Sequence, residues 1–326
     1  MRTFSVLAAS TALLMAATAS AQDFKPAVIF DMGGRFDGSF NEAANAGAER
    51  FKAETGVDYE WFEVSAETQR EQALRTMPRR GATVVSATGF AMEGPLRRIA
   101  AQNPDTKFCI IDAAIDDMPN VRSRTFKEHE GSFLVGMLAA RKAENGVVGF
   151  IGGMDIPLIR NFAYGYEQGA KYVNPDIEVL VNMTGTTPAA WNDPVRGSEL
   201  AMSQISRGAN VVYAAAGGTG KGVLDAAADA GVYSIGVDSN QNHMHPGSVL
   251  TSMLKRVDVA TFNCLQSAMD GTWEAGHQEM GLAEEGVGYA VDEHNEALLT
   301  QEDKDLIAAA SEAIIGGELV VERYQQ

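Results

Sequence analysis

The stretch "PAVIFDMGGRFDGSFNEAANAGAERF" runs from Pro26 to Phe51. Its first five residues are a short apolar run, "PAVIF". An acid and two glycines follow at Asp31, Gly33 and Gly34, then Arg35, Phe36, Ser39, Phe40 and Asn41. From Phe40 onward, Phe40, Ala44, Gly47 and Phe51 recur at helical spacing. The stretch therefore reads as strand, loop, helix, with charge, aromatic surface and amide groups gathered where the strand ends.

Working outward, the same unit repeats. "VDYEWFEV" (57–64) alternates and is rich in β formers. "AETQREQALRTMPRRG" (66–81) reads as a helix broken near Pro78, "ATVVSATG" (82–89) as a strand, "PLRRIAAQN" (95–103) as a helix and "KFCIIDAA" (107–114) as a strand. Such alternation predicts a parallel sheet covered by helices. A second series follows. "EHEGSFLVGMLAARKAEN" (128–145) reads as an amphipathic helix stopped by Asn145-Gly146. Strand and helix readings then alternate through "VVGFIGG" (147–153), "PLIRNFAYGYEQGAKYVNP" (157–175), "IEVLVNMTG" (177–185), "DPVRGSELAMSQISRG" (193–208), "NVVYAAAGGTG" (210–220), "KGVLDAAADAG" (221–231) and "VYSIGVDSN" (232–240). No Pro/Ser linker or low-complexity tract divides the two series, which predicts two α/β lobes joined by short crossings.

The 326 residues suffice for two domains. Net charge is -17, from 26 Lys+Arg against 43 Asp+Glu. A surface this acidic repels phosphate backbones and anionic lipid, which argues against nucleic acid and membrane surfaces as partners. "MRTFSVLAASTALLMAATASAQ" has one early cation, an apolar core and the small residues Ala19-Ser20-Ala21. That pattern predicts a signal peptide over 1–21, cut after Ala21. No cysteine lies near the cut, so the expected product is a soluble, non-lipidated periplasmic protein. The two cysteines, Cys109 and Cys264, sit in apolar contexts and are read as buried free thiols rather than as a pair.

Ligands of open parallel sheets bind beyond the carboxyl ends of the strands. Those places carry Asp31 and the loop to Asn41, then Gly89 and Phe90, then Asp112. The second series places Trp191 and Asn192, Gly217, Gly218 and Thr219, and Asp238, Ser239 and Asn240 there, with Ser252 and Lys255 in the later run "SVLTSMLKRVD". Taken singly, Asp31 and Asp238 could cap helices, Phe40 could be core and Lys255 could be a solvated charge. Taken together they suit a neutral polar ligand with a flat apolar part. Rings stack on it, carboxylates accept from its hydroxyl and N–H groups, and lysine donates. A phosphorylated ligand would need clustered cations or a helix N-terminal cradle. Signals for an enzyme are weak. "GGTGKG" lacks the P-loop spacing, no G-x-G-x-x-G follows the first strand, and no G-x-S-x-G occurs. His129, His243, His245, His277 and His294 form no metal-type pattern. No metal and no cofactor are expected.

The residues that follow the first strand, "DGSFNEAA", resemble the opening signature of the basic membrane protein family. These are the substrate-binding proteins of purine nucleoside importers. "EGSFLVGMLAA", "VGFIGGMDIPLIRNFAYGYEQGAKYVNP", "WNDPVRGSELAMSQISRGANVVYAAAGGTGKGVLDAA", "IGVDSNQ" and "VLTSMLKRVD" extend the likeness over nearly the whole mature chain. The resemblance implies a type I periplasmic binding protein: two Rossmann-like αβα lobes with a hinge and a central ligand cleft. Its expected lobes are 22–128 plus 249–275, and 129–248 plus 276–326, with crossings near 126–131, 247–254 and 275–282. It implies that Asp31 reads the base, and that Ser39, Phe40 and Asn41 supply a stacking ring and polar groups. Asp112 would reach the ligand, and Trp191 with Asn192 would supply the opposite face. Gly217-Gly218 would form the close turn, while Asp238 and Lys255 would hold the sugar hydroxyls. The implied partners are a nucleoside of adenosine, guanosine or inosine type and an ABC permease, with the protein a monomer and no chemistry performed. A sugar-binding protein of the same fold is the alternative, and a nucleoside-cleaving enzyme a more distant one.

Overall fold

The computed structural model describes residues 24–325. The expected leader, residues 1–21, and its cut after Ala21 lie outside the described residues. The first series forms β1 (Pro26–Phe30), α1 (Phe40–Thr55), β2 (Glu60–Glu63), α2 (Gln69–Arg79), β3 (Val84–Thr88), α3 (Glu93–Gln102), β4 (Lys107–Ile111) and β5 (Val121–Phe126). The second forms α4 (Glu128–Lys142), β6 (Val147–Met154), α5 (Pro157–Val173), β7 (Glu178–Gly185), α6 (Pro194–Ser206), β8 (Val211–Ala215), α7 (Gly220–Asp229), β9 (Tyr233–Asp238) and β10 (Val249–Lys255). The chain ends with α8 (Val257–Asp270), β11 (Gly276–Met280), β12 (Val287–Tyr289) and α9 (Gln301–Ile315).

Two six-stranded sheets result, in the orders β11-β5-β4-β3-β1-β2 and β12-β10-β9-β8-β6-β7. Every pairing is parallel except β10 with β12. In the first sheet, successive strand residues alternate faces. Val28, Phe30, Cys109 and Ile111 pack with α1 and α8, while Ala27, Ile29, Phe108 and Ile110 pack with α2 and α3. Strands buried on both faces are what their unbroken apolar runs require. In the second sheet α6 and α7 cover one face and α4 and α5 the other. The molecule is therefore a type I periplasmic binding protein fold with two αβα lobes.

Several expectations need correction. Residues 249–255 do not join the first sheet. The apolar run "VLTSMLK" pairs with β9 in the second, and "GHQEM" (276–280) completes the first by lying beside β5. The chain therefore passes between sheets at Lys127, at Arg256 and after Met280. α4 is not amphipathic. Twelve of its fifteen residues are buried, because it lies against α5, α9, β10 and β12. α2 ends one residue after Pro78, whose ring sits in its last turn, in line with the break expected there. The cysteines are not free thiols. β4 carries Cys109 and α8 carries Cys264, and their sulfurs are bonded 6.3 Å apart at Cα.

Candidate functional site

In the first sheet the strand order reverses direction between β1 and β3, and in the second between β6 and β8. Crevices open at such switch points. Here the two crevices face each other and enclose one cavity of about 620 Å³ including its mouth. The first lobe contributes Asp31 and Asp37 from the β1–α1 loop, Phe40 and Asn41 from the first turn of α1, Gly89 and Phe90 from beyond β3, and Asp112 from beyond β4. The second contributes Leu158, Ile159 and Phe162 from α5, Trp191, Ala215 and Gly217, Asp238 from the end of β9, and Lys255 from the end of β10.

Asp112 and Asp238 occupy equivalent strand ends, and both have left-handed backbones with φ 68° and 63°. Holding a non-glycine residue there costs about 1–3 kcal/mol, and such strain concentrates at ligand sites. Lys255, 1% exposed, donates to Asp112 Oδ2 at 2.8 Å and bonds Glu128 Oε1 at 3.0 Å. Its ammonium also lies 5.2 Å from the Phe40 ring centre, 5.1 Å from that of Phe126 and 5.5 Å from that of Phe162. Burial pulls Lys255 down, but Asp112, Glu128 and Asp238 outweigh it and hold the ammonium above the usual lysine range. Burial pushes Glu128 up to about 7 and Asp238 up to about 6, against the pull of Lys255 on each. The other oxygen of Asp112, Oδ1, is buried and has no hydrogen-bond partner among the described residues.

Asp31 is held differently. Arg70 donates through Nε to Oδ1 at 2.8 Å and through Nη2 to Oδ2 at 3.2 Å, while the Asp31 amide donates to Asn41 Oδ1 at 3.0 Å. Asn41 in turn donates through Nδ2 to Asp37. Asp37 accepts from the backbone amides of Ser39, Asn41 and Glu42, which caps α1 with a side chain that precedes it. Burial raises the Asp37 carboxyl, and those amide donors oppose the rise. Trp191 is carried by a short 3₁₀ turn, pinned where Thr219 Oγ donates to the Ala190 carbonyl and accepts from the Asp193 amide. Its indole lies over Gly153, where any side chain would collide with it. Gly217 adopts φ 58° beside the same residue.

The loop from Phe36 to Ser39 also bridges the lobes directly. Ser39 Oγ donates to Asp238 Oδ2 at 2.6 Å, and the Ser39 carbonyl accepts from Ser239 Oγ at 2.9 Å. Gln241 Nε2 donates to the Gly38 carbonyl and Lys221 Nζ to that of Phe36. The lobes are thus closed on one another.

Of the residues singled out in the sequence, Asp31, Phe40, Asn41, Asp112, Trp191, Gly217, Asp238 and Lys255 meet around the cavity. Ser39, Asn192 and Gly218 do not line it. Ser39 is fully buried and spent on the bridge, Asn192 is exposed, and Gly218 is buried beside Trp191. Arg35 points away, its guanidinium held by Asn45, Glu49 and Tyr59 and lying 4.8 Å from the Trp61 ring centre. The reading from sequence missed Arg70, Glu128, Asp37 and Phe162. Asp37 alone carried a signal, an acid just ahead of a helix start. Among the described residues no group of three His, Cys, Asp or Glu side chains is arranged to hold a metal ion. No helix among them is long and apolar enough to cross a membrane.

A sequence model of the Bmp family, described as ABC transporter substrate-binding protein PnrA-like, matches residues 24–323. The ABC transporter nucleoside-binding protein BmpA of Lactococcus lactis subsp. cremoris is 30% identical over 322 residues, covering 92% of this chain and 89% of its own. An uncharacterized lipoprotein of Pyrococcus abyssi is 35% identical over 284 residues, covering 82% of this chain and 69% of its own. Among solved structures, an ABC transporter system solute-binding protein from Aeropyrum pernix K1 superposes with a TM-score of 0.85 at 29% identity, over 93% of this chain and 94% of that one.

Proposed function

The chain belongs to the Bmp family of PnrA-like ABC transporter substrate-binding proteins, and from that premise we propose that it captures a purine nucleoside between its lobes and delivers it to a membrane permease. The observation that carries the proposal is the cavity's polar wall. A buried Asp112 oxygen lacks a partner, and beside it Lys255 has a third N–H left over after Asp112 and Glu128. Such a wall suits hydroxyl groups, which both donate and accept. Asp238 faces the same cavity and completes the ribose site. Phe40 and Trp191 supply ring faces for the base, worth about 1–3 kcal/mol each. Asp31 accepts from the base edge. Lys255 is the one cation among the described residues that line the cavity, and its carboxylate partners would repel a phosphate.

The same reading makes the two lobes, with 249–255 reassigned to the second and 276–280 to the first, the moving bodies of hinge closure. It makes the protein a periplasmic, non-lipidated monomer that performs no chemistry. The two cysteines of the sequence are bonded to each other, which leaves neither for a lipid.

A thermal-shift panel on ligand-stripped protein tests the proposal. Inosine, guanosine or adenosine at a hundred times its Kd should add about 2.7 kcal/mol of stability, and AMP should add little. Equal stabilisation by AMP, or a response to free sugars alone, overturns the nucleoside reading. Release of free base from inosine would overturn the non-catalytic one.

A further inference from the structure

We propose that Arg70 determines base-edge selectivity: by gripping both oxygens of Asp31 it fixes that acceptor in one orientation on the cavity wall, so that the cavity selects nucleosides whose base edge offers an N–H there. The inference rests on the nucleoside reading and specifies the kind of base it admits.

Arg70 enters from the first turn of α2, 39 residues along the chain from Asp31. It is 7% exposed, so its guanidinium is committed to the site rather than to solvent. The fork meets the carboxylate in the planar two-bond geometry that fixes orientation as well as charge. The backbone of Asp31 is fixed from a second side by Asn41, itself fixed by Asp37. Gly89 closes a third side. Its φ is 104°, and a side chain there would begin 3.2 Å from Asp31 Oδ2, so this turn presses its bare backbone against the carboxylate. The result is a fixed acceptor on the cavity wall. Its remaining lone pairs can take an N–H, such as N1–H of inosine or guanosine or the exocyclic N–H of adenosine. A ring nitrogen bearing only a lone pair would face them unpaired. Sites built around a polar partner reject analogues that lack it, because their own groups are left desolvated and unmatched.

Arg70 does not touch the ligand in this account; it is a positioning residue. A merely structural Arg70 would, when replaced, weaken every nucleoside by the same factor. The selectivity role instead changes a ratio. The probes are inosine and purine riboside, which differ at the six-membered ring and of which only inosine carries an exchangeable hydrogen on the base. Titration calorimetry on the full-length mature protein should show the wild type preferring inosine by roughly 10- to 100-fold, the span expected for one hydrogen bond to a charged group. In Arg70→Met the carboxylate loses its fork and is no longer held in one orientation, so the preference should collapse to roughly threefold or less. Arg70→Lys keeps a charge without the fork and should fall between. Where Arg70→Met fails to fold, Asp31→Asn in the Arg70→Met background removes the charge that needs a partner, and its donating and accepting amide should likewise abolish the preference. An unchanged inosine preference in these variants overturns the inference. Equal wild-type affinity for the two probes also overturns it while leaving the nucleoside reading intact. Binding of neither probe overturns both.

Discussion

Lys255 bonds Asp112 on one lobe and Glu128 at the start of α4, and the field of its charge reaches Asp238. Truncating one member of a buried ion cluster leaves the others uncompensated. Lys255→Met should therefore cost about 3–5 kcal/mol of stability as well as ligand affinity. Glu128→Gln added to it should recover part of the stability but none of the affinity. Urea denaturation of the single and double variants checks this, and equal midpoints would show that the cluster is solvated. The same carboxylates set a pH dependence. Burial lifts Glu128 from its ordinary 4.5 to about 7 and Asp238 from 3.8 to about 6. Between about pH 4 and 7 the folded protein thus holds protons that the unfolded chain has released. Stability from these groups is largest at the acid end of that window and declines as pH rises through it. Glu128→Gln should flatten the decline, read as the difference in urea midpoint between pH 5 and pH 7. Asp303 acts outside this window. Its burial is outweighed by Lys142, Arg141 and Thr300, so its carboxyl stays far below the usual range and its contribution is lost progressively as pH falls below its ordinary 3.8.

At the scale of elements, β4 and α8 are covalently joined, and Trp273 Nε1 lies 3.3 Å from the Cys109 sulfur with its indole beside Arg122. Replacing both cysteines with serine should cost about 2–5 kcal/mol, and reductant should lower the wild-type melting temperature toward that of the variant. Peptide mapping without reduction should recover Cys109 linked to Cys264. A melting temperature indifferent to reductant would place the bond among the ornamental ones. The elements read most easily were those with uniform chemistry, such as "PAVIF", "FCII" and "VVYAA". β5 escaped because Arg122 and Arg124 interrupt "VRSRTF", although Arg122 is buried against α8 through Ser267 and the Glu274 carbonyl. β11 escaped because an edge strand earns its place by backbone pairing with β5, which "GHQEM" does not announce. The pairing of the cysteines was invisible for a related reason. Their apolar neighbours indicated burial, but proximity came from α8 folding back onto the first sheet.

At the scale of the whole molecule, closure is held partly by bonds that need no ligand. Gln241 and Ser239 reach across to the carbonyls of Gly38 and Ser39. The double variant Ser239→Ala/Gln241→Ala should release nucleoside faster, because fewer bonds hold the lobes closed over it. It should also enlarge the ligand-free molecule in small-angle scattering, with a lower melting temperature because Gln241 Oε1 also accepts from the buried Val237 amide at 2.8 Å. An unchanged dissociation rate would mean that the ligand alone holds the lobes together. This scale also explains which site residues could be read in advance. Asp31, Asp112 and Asp238 each stand immediately after an apolar run, where chain direction alone assigns them to the cleft. Arg70 and Glu128 reach the same place from helix starts, and a charged residue in a helix carries no mark of which neighbour it will find.

The order of strands in the first sheet has a consequence for how the molecule comes into being. Its edge strand, residues 276–280, and the helix bearing Cys264 belong to the end of the chain, whereas β6 to β10 of the other sheet are contiguous up to Lys255. A chain laid down from the amino end therefore supplies the five mutually parallel strands of the second sheet before the first can be finished. Cys109 must wait for a partner 155 residues behind it. Through that interval Cys109 has no cysteine partner within the chain.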